Sequence, residues 1–330
     1  MRHSVLLLAV TSMLAACGGG GGGDAPAAAN QSAAQKTPVT LSAANYVAVA
    51  QESMSSSSYL TDSATLAVGA ESSNADVLVR FGRAQAGKIS GWFAGTPALV
   101  TGAVVTTTEP CTGGGTVTIV DNDVNGNGQP DVGDTVALTA TNCRFEGSIL
   151  NGELSFAVTA FTGNIDTPPF SVTVALTFTN LTARSASASS TGNGTMVLAL
   201  NATTASNETY SLKANQFSTT ATYGTTKYNR TLENYTVTVA STATSSSTTA
   251  SGGISSTAFE SKLVTIATPV PFVRTFPAPY PSSGQATATG ANGGVVKVTA
   301  ISNTQVKIEL DADANGTFET SVTKLWSELI

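Results

Sequence analysis

The chain has 330 residues, of which 11% are charged and 6% aromatic, with 31 Gly, 3 Cys, 1 His and a net charge of −6. Its 36 Ser and 51 Thr exclude a coiled coil or helical bundle, which needs Ala, Glu, Lys, Leu and Arg in bulk. The fifteen Lys and Arg are scattered singly, which excludes a nucleic-acid surface, while 41% hydrophobic residues suffice for a core.

Residues 1–16 read as a signal peptide. Arg2 and His3 form a short charged start, Val5 to Val10 an apolar run, and Leu14-Ala15-Ala16-Cys17 a small-residue exit. The apolar run is too short for a permanent membrane span. Leu14 to Cys17 resembles the lipobox of bacterial lipoproteins. The resemblance implies cleavage before Cys17 and its modification by diacylglycerol and an N-acyl chain such as palmitate, which together anchor firmly. Gly18 follows Cys17 where an Asp would resemble an inner-membrane retention signal, so the implied localisation is the outer membrane. Residues 17–40 then carry the lipidated Cys17 and a Gly-rich tether that begins with Gly18 to Gly23. A tether of about twenty residues reaches roughly 25 Å.

Residues 41–75 hold the one expected helix, Leu41 to about Tyr59, and a linker. Ala43, Ala44, Val47, Ala50 and Met54 recur at helical spacing, and Thr40 or Ser42 is placed to cap the start. From residue 76 to 330 the texture is period-two alternation, as in Val77-Val79-Phe81, Leu154-Phe156-Val158, Val172-Val174-Leu176-Phe178 and Val296-Val298. Asn151-Gly152, Gly192-Asn193-Gly194 and Pro281 to Gly284 read as turns, and the Ser/Thr/Ala/Gly stretch Ser241 to Ser256 as a loop. The expectation is mainly β: a large antiparallel sandwich, barrel or strongly curled sheet of about sixteen strands, with one N-terminal helix. A membrane-spanning barrel is excluded, because the outward positions are Thr, Ser and Asn and aromatic girdles are missing. Trp92 and Trp326 read as core or strand-edge residues.

After removal of residues 1–16 the chain has no histidine, which removes Ser-His-Asp and Cys-His catalysis and the common zinc sites. Cys111 and Cys143 then read as a disulfide, as befits an exported protein. Matching apolar faces pairs Val117 with Leu138 and Ile119 with Val136, giving a hairpin with an acidic tip. That register sets Cys111 opposite Arg144, so a bulge at Gly113 to Gly115 is expected to align the cysteines.

The tip places Asp121, Asp123 and Asn125 at alternate positions before Gly126, followed by Asn127, Asp131 and Asp134. This resembles the Asp-x-Asp-x-Asn-Gly opening of EF-hand, dockerin and thrombospondin-type calcium loops. The resemblance implies calcium as cofactor, with Asp131 or Asp134 closing the site because Val132 stands where an EF-hand has Glu. A second opening follows at Asp311, Asp313 and Asn315, then Gly316, with Thr317 and Glu319 as further candidate ligands. Pairing Val306 with Val322 and Leu310 with Phe318 there sets Glu309 opposite Glu319. Such a pair is destabilising unless Lys307 or a cation offsets it.

The functional expectation is a non-enzymatic envelope lipoprotein with a structural or binding role, stabilised by calcium and joined to the membrane by its lipid anchor. Two alternatives stand beside it. A small-molecule or lipid carrier needs an apolar cavity inside a curled sheet. A carboxylate-based glycan hydrolase needs two acids about 5–5.5 Å apart, for which Glu309 and Glu319 are the candidates.

Overall fold

The computed structural model describes residues 36–64 and 104–330, apart from 128, 129, 166, 187 and 224. The signal peptide, Cys17, most of the tether, the linker, the expected strand at Val77 to Phe81 and Trp92 lie outside them. The described residues belong to one compact unit, Lys36–Ile330.

One helix is followed by a single antiparallel sheet of fourteen strands in sequential order, and the sheet does not close. The helix is α1 (Tyr46–Ala64). The strands are β1 (Val104–Pro110), β2 (Thr116–Asn122), β3 (Thr135–Phe145), β4 (Ser148–Asn164), β5 (Thr167–Arg184), β6 (Ala188–Thr204) and β7 (Asn207–Tyr223). They continue with β8 (Thr226–Ser241), β9 (Ser245–Ser256), β10 (Leu263–Thr275), β11 (Ser283–Thr289), β12 (Val295–Ala300), β13 (Gln305–Asp311) and β14 (Thr320–Leu325). Of the expected architectures, the strongly curled sheet is the one adopted. The proof is local. Adjacent helix residues Gln51 and Glu52 bond Glu328, beyond β14, and Arg230, on β8. On a flat sheet six strand spacings would separate these partners by about 29 Å. The sheet therefore wraps around α1, which touches β7, β8 and β9 as well as β11, β12 and β13.

The helix starts and ends about five residues later than its periodicity suggests. Its first turn is organised by Asn45, which accepts from the Ser42 amide at 2.9 Å and donates to the Thr40 carbonyl at 2.9 Å. Of the expected stripe, Ala50 and Met54 are buried and Val47 packs against the core, whereas Ala43 and Ala44 are exposed; the buried face runs through Tyr46, Val49, Ala50, Ser53, Met54, Ser56 and Ser57. Tyr46 and Val49 bury far more apolar area than two alanine methyls, so they decide which face turns inward. Two serines on this face back-bond to the helix, Ser53 to Val49 at 2.6 Å and Ser57 to Ser53 at 3.0 Å, while the buried Ser56 hydroxyl has no partner. Ser57 also meets the hydroxyl of Tyr235 at 2.7 Å, which completes a polar contact in the core. Burial pushes the Tyr235 phenol up to about 12, outweighing the opposing effects of Ser57 and Arg230.

The curl has a visible cause. Asn151-Gly152 and Gly192-Asn193-Gly194 are not turns: they lie inside β4 and β6. Bulges at Asn142 on β3, Asn180 on β5 and Asn234 on β8 have φ of 48°, 48° and 46°; Asn142 faces Gly115 in the turn between β1 and β2, Asn180 faces Gly152 on β4 and Asn234 faces Gly252 on β9. The register breaks between Ala140 and Cys143, Asn151 and Glu153, Phe178 and Leu181, Thr195 and Met196, and Glu233 and Thr236 follow one line across the sheet, interrupted between β7 and β8, whose register is unbroken. Asn151 accepts from the Asn142 amide at 2.9 Å, and Asn193 from the Asn180 amide at 2.7 Å. Each bulge adds local twist, and a row of them creases the sheet. At Gly152 the crease requires glycine, since a Cβ would sit 2.2 Å from the Asn180 carbonyl oxygen.

The loop reading of Ser241 to Ser256 holds only for the turn at 242–244 and is corrected to strand over Ser245–Ser256, because β9 pairs with both β8 and β10 and buries Ser246, Ala250, Ile254, Ser255 and Ser256. Its hydropathy is low, but Thr and Ser suit a pleated strand when neighbours on both sides satisfy the backbone. Trp326 is fully buried after β14, edge-on to Phe272 at 5.8 Å and stacked on Tyr280 at 6.4 Å. Its indole N–H donates to the Ser302 carbonyl at 3.1 Å.

Candidate metal centre

Cys111 and Cys143 are disulfide-bonded, with Cα atoms 5.4 Å apart. The expected route to this bond needs correction. Cys111 does not extend β2; it opens the turn between β1 and β2, where Gly114 donates to its carbonyl and Cys111 donates to Gly115. Gly113 to Gly115 make that turn, and the bulge that aligns the sulfurs lies on β3 at Asn142. A Cβ on Gly115 would sit 2.0 Å from the Asn142 carbonyl oxygen, so turn and bulge fit only through glycine.

The β2–β3 register is also shifted by two from the expected one: Ile119 pairs with Leu138, Val117 with Ala140 and Asp121 with Val136. A shift of two preserves faces, so the same side chains point inward. Its cause is Asp134. Instead of opposing a β2 residue, this fully buried carboxylate folds into the loop, accepting from Val124 at 2.9 Å and Asp131 at 2.6 Å. Its backbone continues the ladder to β4, where Val158 donates to the Asp134 carbonyl at 2.9 Å.

Within this loop the candidate ligands separate into two groups. Asp131 accepts from the side-chain amides of Asn125 and Asn127, each at 2.6 Å, and Asn125 accepts from the Asn127 backbone at 3.0 Å. These three side chains satisfy one another at the exposed tip. Beneath them lie Asp121 and Asp123, each 5% exposed. Asp123 accepts from Gly126 at 2.7 Å, with Gly126 at φ 70° turning the chain. Neither carboxylate oxygen of Asp121 has a hydrogen-bond partner. Burial, with the nearby negative charges of Asp123 and Asp134, pushes the Asp121 carboxyl up to about 6. Asp134 is raised as well, by burial first, against the two amide bonds that favour its charge. Asp121 is a strand residue whose side chain falls on the core face with Val117 and Ile119.

The second loop is arranged differently. Carboxylate oxygens of Asp311, Asp313 and Glu319 lie within 4.8 Å of one another, the only such trio found among the described residues. Asp311 accepts from Asn315 at 3.2 Å and Gly316 at 2.9 Å, and Asp313 from the Asn315 side chain at 2.9 Å. Asn315 accepts from Thr317 at 2.7 Å and Glu319 from Ala312 at 3.1 Å. The register here is again shifted by two: Ile308 pairs with Val322, Leu310 with Thr320 and Glu309 with Ser321. The expected opposition of Glu309 and Glu319 is therefore absent, because Glu319 folds back over the loop as Asp134 does. Glu309 bonds Lys297 at 2.9 Å and Lys307 at 2.7 Å. In a sequential meander, β2–β3 and β13–β14 turn at opposite ends of the sheet. The two acidic loops are thus separate sites, and the disulfide lies at the end opposite the first.

Sequence reading missed the orphan state of Asp121 and the Ser57–Tyr235 contact. The first had a signal, since alternation from Val117 and Ile119 lands on Asp121. The second had none, because a Ser-rich helical face does not announce burial. No protein-family model, curated protein or solved structure matches the chain.

Proposed function

We propose that the chain is a non-catalytic lipoprotein, anchored in the outer membrane through Cys17, whose curled sheet serves as a structural or binding scaffold and whose acidic loops take calcium. The observation that carries this reading is how charge is disposed. Glu309 is held between two lysines and Asp131 between two amides, while Glu309 and Glu319 occupy different rungs. These carboxylates are committed to holding strands and loops in place, and the first acidic loop retains a buried one without a partner. Calcium suits the all-oxygen loops, and extracellular-type sites work with dissociation constants of about 10⁻⁴–10⁻³ M. The anchor is tested by Cys17→Ser. The variant should lose its acyl groups and leave the membrane fraction; a variant that remains bound, with a free N-terminus on the mature wild type, overturns the anchoring.

A further inference from the structure

We infer that the outer face of the sheet, at the end that carries the disulfide, is turned toward the membrane, where Arg144, Arg184 and Lys227 engage anionic phospholipid headgroups of the bilayer that holds Cys17. The inference rests on the anchored reading above and adds to it the surface that meets the lipid. The three residues are far apart in the sequence, each from a different strand, and the fold lines them up. Arg144 pairs with Ile149, Ile149 with Arg184, Arg184 with Ser189, Ser189 with Thr222 and Thr222 with Lys227, so one rung runs from β3 to β8. Residues opposed on a rung point to the same face. Here that face is the outer one, because Cys143 and Ala183, the preceding residues on β3 and β5, are buried. A sequential meander returns to the same end with every second strand, which is how single basic residues become a row.

All three side chains are exposed, and among the described residues none holds an acid. Six other basic residues, Lys36, Arg230, Lys262, Lys297, Lys307 and Lys324, each have a carboxylate partner. The row is therefore charge that the fold itself does not use. The acids on this face are Glu146 in the turn after β3, Glu153 on β4, and Glu233, which Lys36 holds at 3.0 Å. Five strand spacings separate Arg144 from Lys227, about 24 Å. Charges so spread cannot converge on one small anion, but they suit an extended anionic plane. The anchor selects lipid as that plane. Lys36 bonds Glu233 on β8 and Ser255 on β9, so the described chain begins on this same outer face. Ser255 pairs with Thr231, about 13 Å along β8 from Lys227. A tether reaching roughly 25 Å from Lys36 lets the acylated Cys17 and the basic row meet one bilayer surface. The chain as a whole is negative, at −6. At about 0.1 M salt, however, charges more than roughly 10 Å away are largely screened, so the local row governs the contact.

The test takes the full chain as the non-acylated Cys17→Ser protein. It is sedimented with vesicles of phosphatidylglycerol and phosphatidylcholine, or of phosphatidylcholine alone, in about 0.1 M NaCl. Each basic residue at an anionic surface favours binding about fivefold, so the row should favour the phosphatidylglycerol vesicles on the order of a hundredfold. Raising the salt to about 0.5 M should abolish that preference. Arg144→Gln, Arg184→Gln and Lys227→Gln together should bring binding down to the level on neutral vesicles and leave Tm unchanged, because all three side chains are exposed. Lys324→Gln, at the opposite end of the sheet, should keep the preference. A Cys17→Ser protein with no preference for the anionic vesicles overturns the inference, as does a preference that survives the triple substitution. Row-dependent binding to dextran sulfate without binding to vesicles also overturns it, and assigns the row to an acidic polymer. None of these outcomes depends on whether Cys17 of the wild type is acylated, so the surface and the anchor fail separately.

Discussion

Glu309 is the described carboxylate most tightly held by cations. Burial on β13 opposes its ionisation, but hydrogen bonds from Lys307 and Lys297 and their charges outweigh burial and hold the carboxyl below the usual range. A folded-state value below the unfolded one means a contribution present above about pH 4.5 and lost as pH falls through the folded value. Lys297 also stands over the ring of Phe318 at 3.7 Å, so the charge cluster is tied to the second loop. Glu309→Gln should therefore cost roughly 1 kcal/mol at pH 7, because Lys307 is partly exposed and screened. The difference from wild type should shrink as the protein is acidified toward pH 3. Chemical denaturation of both proteins across that range checks it; a constant gap would mean the loss is one of packing, not of charge.

At the scale of elements, the crease decides the shape of the sheet, and it rests on glycines that face backbone. Gly152 has φ 110° and only 2.2 Å between an added Cβ and the Asn180 carbonyl oxygen. Gly147 has φ 78° and open space around it. Gly152→Ala should cost more than about 3 kcal/mol, from backbone strain together with overpacking, and Gly147→Ala about 1 kcal/mol from conformation alone. Equal losses in urea titrations would show that the crease can relax. These same positions mark what was legible in the sequence. Alternation identified the antiparallel sheet and the inward faces, because period two is fixed by the pleat. It could not separate a glycine in a turn from a glycine in a bulge, since both supply φ above zero. Asn151-Gly152 thus read as the end of a strand that in fact continues. The acidic loops were legible as loops because Asp, Asn and Gly cluster there. Their registers were not, because Asp134 and Glu319 fold over their loops instead of taking a rung of the ladder.

For the molecule as a whole, sequential order makes each strand depend chiefly on its two neighbours, as in a repeat array whose parts lose protection separately. Two features cut across that order. The helix joins β7, β8 and β9 to β11, β12 and β13, so the C-terminal part of the sheet shares one core. The disulfide instead serves the other edge, where β1 is largely exposed and gains little from burial. It closes a separation of 32 residues between the β1–β2 turn and β3. A loop of that size is worth roughly 3–4 kcal/mol in the chain-entropy model. Replacing both Cys111 and Cys143 with Ala should therefore lower amide protection over residues 104–145 and leave β11 to β14 close to their wild-type protection. The intervening strands should show a graded loss, steepest toward β3, because each opens only after the neighbour that covers it. Hydrogen exchange read by mass spectrometry resolves the two edges directly. An equal loss of protection from β1 to β14 would mean that the creased sheet opens as one unit, and that α1 stabilises both edges alike.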